Sequence, residues 1–281
     1  MTRPLPDLPG ATHRYVRANG VRLHVAELGV GEPVVLLHGW PQHWYAWRHV
    51  AARLAPDFRM LAVDQRGFGW SDAPRTGYTT AARVADLLAL LDALGLDRVR
   101  LVGHEWGAWV GFFACLRAPE RFASFLALNV VHPWPQHRAL APRSWRFWYT
   151  VPLEAPGLGR LVQRHWPAYM RFLLRGVPDA EEYVAAAREP GTARAGEALH
   201  RLFTVRDIPA LVLDRYDRFR LTVPTVLLGG ERDRLFPPAV LTGAAEHADD
   251  LRVRVLPGAG HWLPEERPDE VAATARELFT R

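Results

Sequence analysis

Three residues of the sequence, Glu105, Asp233 and His261, have the types and the chain order of a nucleophile, an acid and a base. Each follows a stretch that is typical of a strand: RVRLVGH precedes Glu105, TVPTVLLGGER precedes Asp233, and LRVRVLPGAG precedes His261. Taken singly, they have structural explanations as an acid at a helix N-terminus, a loop acid and a surface histidine. Their shared order and their placement at strand ends instead predict nucleophilic catalysis.

The turn that carries Glu105 reads GHEWG, residues 103–107, between a predicted strand and an apolar helix. This is the layout of a nucleophile elbow, whose tip is more familiarly a serine. We expect a strained positive φ at the tip, with glycines beside it because neighbouring backbone must approach without Cβ clashes. His104 is expected to pack or to form a local hydrogen bond. The sequence therefore places a carboxylate at the position of a nucleophile.

The surrounding stretches predict an α/β protein. THRYVRA and VRLHVAEL flank Asn19-Gly20, a strong turn dipeptide, and predict a hairpin. PVVLLHG and RMLAVDQ are continuous apolar runs, as in strands that are covered on both faces. TTAARVADLLALLDALGL has helical periodicity, with Thr79 or Thr80 as its N-cap. With the remaining apolar runs, about eight strands indicate a mostly parallel, doubly wound sheet.

The succession of strands stops between residues 133 and 218. This stretch is rich in Trp, Pro and Arg, has several helical runs and contains no convincing strand. We predict a core made of residues 1–132 and 219–281, interrupted by a helical cap of residues 133–218. Open α/β sheets bind ligands at the carboxyl ends of their strands, so a cap there would cover the site and exclude water.

Five stretches of the chain resemble one branch of a known family: LLHGWPQHWYAWR, VDQRGFGWSDAP, LVGHEWG, GGERDRLFP and GAGHWLPEERP. They make the chain similar to the epoxide hydrolases and haloalkane dehalogenases of the α/β-hydrolase fold. The resemblance covers nearly the whole chain and is stronger in the core than in the cap. In that branch the elbow reads G-H-D-W-G, so Glu105 departs from the pattern by one methylene.

The resemblance implies a reaction in two steps that needs no cofactor and no metal. Glu105, ionised at a reference pKa of ~4, attacks an sp3 carbon and forms an alkyl-enzyme ester. His261, oriented by Asp233, then activates the water that attacks this ester. The backbone amides of Trp40 and Trp106 are expected to hold the resulting oxyanion.

The resemblance also implies two proton donors on the cap, facing the epoxide oxygen. Tyr149 is the best match to the first, and His200 stands in place of the second. A charged His200 could donate a proton, which would be pH-sensitive at its reference pKa of ~6.5. Tyr149 could instead be a packing aromatic and His200 an exposed helix residue. The predicted substrate contacts are Trp106, Trp148 and His38, the last mainly as an orienting residue.

Tryptophans 134, 145, 148 and 166 of the predicted cap are expected to pack and to line the pocket. An aromatic roof of this kind favours a bulky, flat or apolar epoxide as the small-molecule substrate.

Three alternatives stay open beside an epoxide hydrolase with Glu105 as nucleophile. The longer side chain could serve in proton transfer instead, because misplacement by ~1 Å costs on the order of a hundredfold in rate. A haloalkane or haloacid dehalogenase would use the same residues, although position 40 is tryptophan rather than a halide-holding asparagine. A ligand-binding or tailoring protein could keep the fold, but the Asp233–His261 pair has no evident use there.

The composition disfavours other classes of function. The formal net charge is +5, but the arginines are scattered and often lie beside acids, so we expect no nucleic-acid partner. No apolar stretch approaches the ~20 residues of a membrane span, and the N-terminus lacks a signal peptide's apolar run. A single cysteine, Cys115, is expected to be buried and fits a cytoplasmic protein, either monomer or homodimer.

Overall fold

The structure is a computed structural model that describes residues 3–135 and 141–280. Its strands are β1 Thr12–Ala18, β2 Val21–Leu28, β3 Glu32–Leu37, β4 Phe58–Val63, β5 Val99–His104, β6 Phe122–Leu128, β7 Thr225–Gly230 and β8 Leu251–Leu256. They form one sheet in the order β1-β2-β4-β3-β5-β6-β7-β8. Strands β3 to β8 run parallel, whereas β2 pairs antiparallel with β1 and β4. The predicted mostly parallel, eight-stranded sheet is confirmed.

The helices complete an α/β architecture. The described α-helices are α1 Arg48–Leu54, α2 Thr80–Ala93, α3 Trp106–Arg117, α4 Val151–Glu154, α5 Leu158–His165, α6 Pro167–Leu173, α7 Ala180–Ala187, α8 Pro190–Leu202, α9 Ile208–Val212, α10 Leu263–Glu266 and α11 Pro268–Phe279. Helix α8 continues into a π-helical turn, Phe203–Asp207. Across the parts of the chain that are described, none of the helices combines the length and the apolar character that a membrane crossing requires.

Two short-range predictions are confirmed at residue level. Asn19 and Gly20 have φ values of 46° and 75°, and they join β1 to β2 as an antiparallel hairpin in which Ala18 faces Val21. Thr79 is the N-cap of α2, because its side-chain oxygen accepts a hydrogen bond from the Ala82 amide at 3.2 Å.

The two faces of the sheet carry separate hydrophobic cores, and strand β3 supplies both. Val35 and Leu37 pack with residues of α2 and α3, whereas Val34 and Leu36 pack with residues of α1 and α11. All four are at most 2% exposed. Successive side chains of a strand point to opposite faces, so a continuous apolar run is what a doubly covered strand requires. Cys115 is buried in the first of these cores, as expected.

The described secondary-structure elements between β6 and β7 are all helices, joined by turns and loops. A third apolar cluster joins this segment to the core: Leu153, Tyr183 and Leu199 pack with Trp40 and Trp262. The division of the chain at residues 133 and 218 stays a prediction.

A buried polar cluster also links the helical segment to the core. The Tyr183 hydroxyl donates to Glu265 Oε1 at 2.6 Å. The Arg48 guanidinium pairs with Glu265 at 2.8 Å through Nη1 and with Asp179 at 2.8 Å through Nη2. These contacts fix α7 against α10 and the start of α1.

Candidate active site

The elbow has the predicted geometry. Strand β5 ends at His104, Glu105 follows with a φ of 49°, and α3 begins at Trp106. A Cβ on Gly103 would lie 2.6 Å from the Ala108 Cα, and a Cβ on Gly107 would lie 2.1 Å from the Leu37 carbonyl oxygen. Only glycine fits at these approaches, and the backbone at Glu105 is strained in the way that nucleophile turns are.

The Glu105 carboxylate lies against the turn after β3. Its Oε2 atom accepts a hydrogen bond from the Trp40 amide at 2.7 Å. A Cβ on Gly39 would come within 2.5 Å of the same Oε2 atom. The missing side chain at position 39 therefore makes the room that the longer acid needs.

The charge state of Glu105 differs from the expectation based on its reference pKa. Burial raises the pKa of this carboxyl to about 7, although His261, the amides of Trp40 and Trp106, and the Arg83 guanidinium all act to lower it. Desolvation disfavours the charged form, and here it outweighs the favourable neighbours. Close to half of the Glu105 carboxyl groups are therefore ionised at pH 7, rather than nearly all of them.

Asp233 and His261 form a buried pair at the ends of β7 and β8. The Nδ1 atom of His261 donates to Asp233 Oδ2 at 2.9 Å. The other Asp233 oxygen accepts from the amides of Leu235 and Phe236 at 2.7 and 3.1 Å. Burial acts to raise the pKa of Asp233, but these partners hold it near 2, so the group stays ionised.

Pairing with Asp233 also makes His261 more basic. Burial alone would lower the pKa of His261, but the charges of Asp233 and Glu105 outweigh it, and the pKa is raised above its ordinary value. The imidazole is thus oriented by one carboxylate, Asp233, and made a stronger base by three, since Glu266 also raises its pKa.

His104 packs, with its ring centroid 5.3 Å from that of His261 and 5.7 Å from that of Trp262, but its hydrogen bond is not local. Its Nε2 atom donates to the His261 backbone carbonyl at 2.9 Å, across 157 residues of the chain. Burial lowers the pKa of His104 to about 3, so the ring is neutral. His104 therefore links the turn that carries Glu105 to the loop that carries His261.

His38 is fully engaged by backbone groups. Its Nδ1 atom donates to the Gly39 carbonyl at 2.8 Å, and its Nε2 atom accepts from the Gln65 amide at 3.1 Å. The side chain is 1% exposed, and burial lowers its pKa to about 4. Neither ring nitrogen is left for a substrate, so the structure corrects the predicted substrate contact and leaves His38 as an orienting residue of the turn.

Tyr149 faces the carboxylates of the site from the helical segment. Burial raises the pKa of its hydroxyl above the ordinary value, and the charges of Glu105 and Asp233 raise it further. Its backbone carbonyl accepts a hydrogen bond from the Tyr169 hydroxyl. The Tyr149 hydroxyl is therefore protonated over the whole physiological range, as a hydrogen-bond donor must be.

His200 lies over the two tryptophans of the predicted oxyanion hole. Its ring centroid is 4.6 Å from that of Trp40 and 5.5 Å from that of Trp106, both in edge-on arrangements. Burial lowers its pKa to about 4, and its Nδ1 atom donates to the Gly196 carbonyl at 2.8 Å. The ring is neutral at pH 7 and its Nε2 atom is an acceptor, so the predicted donation by a charged, pH-sensitive His200 is corrected.

The predicted aromatic roof is only partly built. Trp148 is 58% exposed, with its ring centroid 6.4 Å from that of Phe172, and Trp145 and Trp166 are 68% and 55% exposed. Trp134 is buried in the core, where its indole donates to the Tyr216 carbonyl at 2.8 Å. Trp134 therefore packs as expected, whereas the other three tryptophans are more than half exposed. Substrate contact by Trp148 stays a prediction.

Sequence reasoning missed three polar residues around the site. Asn129, with a φ of 45°, donates to Asp233 Oδ2 at 2.8 Å. Its place after a strand is visible in FLALNVV, but an amide cannot serve as the acid of the set. Arg83 and Gln65 share a hydrogen bond of 2.7 Å beside the elbow; Gln65 lies within VDQRGFGWSDAP, whereas Arg83 belongs to no motif. Among the described residues, no group of three or more His, Cys, Asp or Glu side chains is placed to hold a metal ion.

Comparisons with known proteins agree with this geometry. A family model described as "alpha/beta hydrolase fold" matches residues 32–268. The chain is 30% identical to the soluble epoxide hydrolase of Corynebacterium sp., over 95% of this chain and 97% of the relative. It is 33% identical to epoxide hydrolase A of Mycobacterium tuberculosis, over 96% and 97%.

A solved structure is similar over the same span. It is a variant epoxide hydrolase of Bacillus megaterium in complex with its product, a naphthyloxy-propanediol. The TM-score is 0.83 at 25% identity, and the alignment covers 95% of this chain and all of the other. The matched family model, the two relatives matched over nearly their whole length and the shared fold lead to one conclusion: this chain belongs to the α/β-hydrolase fold family.

Proposed function

We propose that this protein is an epoxide hydrolase that opens an epoxide to a vicinal diol through an ester on Glu105. The observation that carries the proposal is the Glu105 carboxylate itself. One oxygen is bound by the Trp40 amide at 2.7 Å, in a turn whose other neighbours are the Trp106 amide and the His261 imidazole. The relatives named above, which are epoxide hydrolases, support the same reaction.

In the first step, the second carboxylate oxygen, Oε1, attacks a carbon of the epoxide. The new bond joins Oε1 to that carbon, and the carbon–oxygen bond of the ring breaks. The released alkoxide takes the proton of Tyr149, whose hydroxyl is kept protonated by burial and by two nearby carboxylates. His200, neutral and without a proton on Nε2, forms a wall of the pocket in this step.

In the second step, His261 takes a proton from water, and the hydroxide adds to the carboxyl carbon of Glu105. The negative charge that develops on Oε2 is held by the amides of Trp40 and Trp106. The ester bond breaks, and His261 gives its proton to the departing oxygen of the diol. The proton of the regenerated Glu105 acid returns to the Tyr149 oxygen, which restores the enzyme.

The substrate that this site favours is an apolar or aromatic epoxide. Phe203 packs edge-on against Trp106 with a centroid distance of 5.0 Å, and Tyr149 belongs to the apolar cluster that contains Trp40. The aryl diol bound by the Bacillus megaterium relative supports this class. We further propose a helical cap of residues 133–218, a cytoplasmic location in keeping with the single free Cys115, and a monomer or homodimer.

One observation favours a second candidate, dehalogenation. The indole nitrogens of Trp40 and Trp106 are buried and have no hydrogen-bond partner among the described residues. Indole N–H groups are suited to a departing halide, which would be displaced by Glu105 in the same attack. Halide release from a panel of haloalkanes and haloacids, compared with diol formation from epoxides, separates the two reactions.

A single turnover in water enriched in oxygen-18 tests the proposal. With enzyme in excess over epoxide, the ester route gives a diol free of the label and a Glu105 peptide that carries it. Mass spectrometry of the product and of the peptide measures both. Label in the first diol would show instead that Glu105 acts as a base on water, and an absence of diol would favour the ligand-binding or tailoring alternative.

A further inference from the structure

A buried arginine lies beneath the nucleophile elbow and has no part in the reaction as written above. Arg83, on α2, is 3% exposed. Its Nη2 atom donates to the backbone carbonyl of Trp106 at 3.3 Å and to Gln65 Oε1 at 2.7 Å. Its guanidinium carbon is 5.9 Å from the centre of the Trp106 ring. Arg83 thus touches the residue whose amide is one half of the proposed oxyanion hole.

Gln65 connects Arg83 to the turn that holds the Trp40 amide, the other half of the proposed oxyanion hole. The Gln65 side chain donates through Nε2 to the His38 carbonyl at 2.6 Å. The Gln65 backbone amide donates to His38 Nε2 at 3.1 Å. His38 begins the turn that presents the Trp40 amide to Glu105. One guanidinium therefore supports both turns on which the two amides stand.

Arg83 forms no direct ion pair with any residue that the structure describes. Asp86 is held by both nitrogen atoms of the Arg66 fork, and Asp207 accepts the Thr80 hydroxyl at 3.1 Å. The Nε and Nη1 atoms of Arg83 are buried without a hydrogen-bond partner among the described residues. The charged groups facing Arg83 are Glu105, Asp86, Asp207 and Arg66.

Arg83 remains a cation where it lies. Burial lowers its pKa to about 10, still well above neutrality. A cation in a desolvated position acts strongly on nearby charge because the surroundings screen it little. The charge of Arg83 acts on Glu105 together with the charge of His261 and the hydrogen bonds from the amides of Trp40 and Trp106. Tyr149 approaches the same carboxylate from the helical side.

We propose that Arg83 is a positioning residue for the reaction at Glu105, which supports both turns of the oxyanion hole and supplies the fixed positive charge behind it. The proposal rests on the proposed function, since it assigns a part to Arg83 in the formation and hydrolysis of the Glu105 ester.

The two steps of the reaction respond differently to this charge. It favours the ionised nucleophile, so its removal shifts the acid limb of ester formation to higher pH. Ester formation then neutralises the carboxylate, and ester hydrolysis creates a new negative charge on Oε2. Removal of Arg83 therefore slows hydrolysis more than attack at high pH, and the ester accumulates.

Variants that separate charge from hydrogen bonding test this part. Arg83→Met removes both, Arg83→Lys keeps the charge, and Gln65→Leu keeps the charge but cuts the link to His38. Rapid quenching and peptide mass spectrometry measure the ester on Glu105 across pH 5 to 9. For Arg83→Met we expect the acid limb of ester formation to shift to higher pH by roughly 0.5–1 pH unit. The hydrolysis rate should fall at least tenfold, with ester accumulating in the steady state.

The other two variants separate the effect of the charge from that of the hydrogen bonds. Arg83→Lys should keep the acid limb of the wild type while hydrolysis is slowed, and Gln65→Leu should do the same. Arg48→Met is a matched control, because Arg48 is also a buried cation (5% exposed) but pairs with Glu265 and Asp179. It should lower the melting temperature and leave the acid limb in place.

Two outcomes overturn the proposal. One is an Arg83→Met enzyme that melts cooperatively and has the acid limb and ester level of the wild type. The other is an Arg48→Met enzyme with the same shift, which would reduce Arg83 to a general structural part. If Arg83→Met does not fold, a wild-type ester level in both Arg83→Lys and Gln65→Leu overturns it as well. Failure of the proposed function is distinct, because the wild type itself would then form no ester.

Discussion

The two sides of the site differ in how they use charge. On the sheet edge, Asp233 is held ionised with a pKa near 2, the pKa of Glu105 is raised to about 7, and that of His261 is raised as well. On the helical side, burial keeps His200 neutral with a pKa of about 4 and keeps Tyr149 protonated. Of these five side chains, the three that carry charge belong to the core, and the two on the helical side are a neutral ring and a protonated hydroxyl.

This division has a physical cause. Side chains at strand ends meet backbone amides and helix N-termini that stabilise a carboxylate, as the amides of Leu235 and Phe236 do for Asp233. The helical side offers carbonyls and aromatic rings, such as the Gly196 carbonyl beside His200. A dry, neutral cover strengthens the charge interactions beneath it.

The largest effect is expected from Glu105→Gln, which removes the charged nucleophile from the sheet edge. Epoxide turnover should fall by roughly 10³-fold or more, because no ester forms. The matched variant Glu105→Asp should keep or improve turnover, since it restores the shorter acid of the related branch. Steady-state diol formation measures both. Equal losses in the two variants would mean that the carboxylate is not the nucleophile.

Tyr149→Phe should have the next largest effect, because it removes the proton donor of the neutral cover. General acid catalysis contributes on the order of 10²–10⁴-fold, so we expect ester formation to slow by about a hundredfold while ester hydrolysis is unchanged. Single-turnover kinetics with mass detection of the ester separates the steps. Tyr169→Phe serves as the control, since its hydroxyl donates to the Tyr149 carbonyl rather than to the site.

The pH dependence of ester formation should report Glu105. Because burial raises its pKa to about 7, the ionised fraction falls as the pH drops through 7. The rate should therefore decline nearly tenfold between pH 6 and pH 5, whereas an acid with an ordinary pKa would leave it almost flat there. A flat single-turnover profile from pH 8 to pH 5 would contradict the raised pKa.

The smallest effect is expected from His200→Gln. His200 is already neutral at pH 7, so its replacement by a neutral side chain should shift no limb of the pH profile between pH 5 and 8. We expect turnover within about threefold of the wild type, from altered packing on Trp40 and Trp106 alone. A lost or shifted limb in kcat/KM would show that His200 titrates in the free enzyme and that the cover is not neutral.

The difference between the two sides also explains what the sequence could predict. Glu105, Asp233 and His261 follow strands, and parallel strands bring their carboxyl ends to one edge, so chain order alone indicated that they meet. Asn19-Gly20 and Thr79 were predictable because turn and cap chemistry is local.

Other features depend on partners that are distant in the chain. The charge state of His200 is set by burial and by the Gly196 carbonyl, and His104 binds a carbonyl 157 residues away. Arg83 stands within an amphipathic helical pattern, where a lone arginine is most often exposed to solvent. Only the packing of α2 beneath the elbow turns it inward.

The bond between His104 and the His261 carbonyl has a dynamic consequence. It ties the turn of the nucleophile to the loop of the base, so thermal motion of one carries the other with it. A displacement of the helical segment would leave the spacing between the Glu105 turn and the His261 loop unchanged. The two loops thus form one frame, to which α7 is also tied by the hydrogen bond between Tyr183 and Glu265.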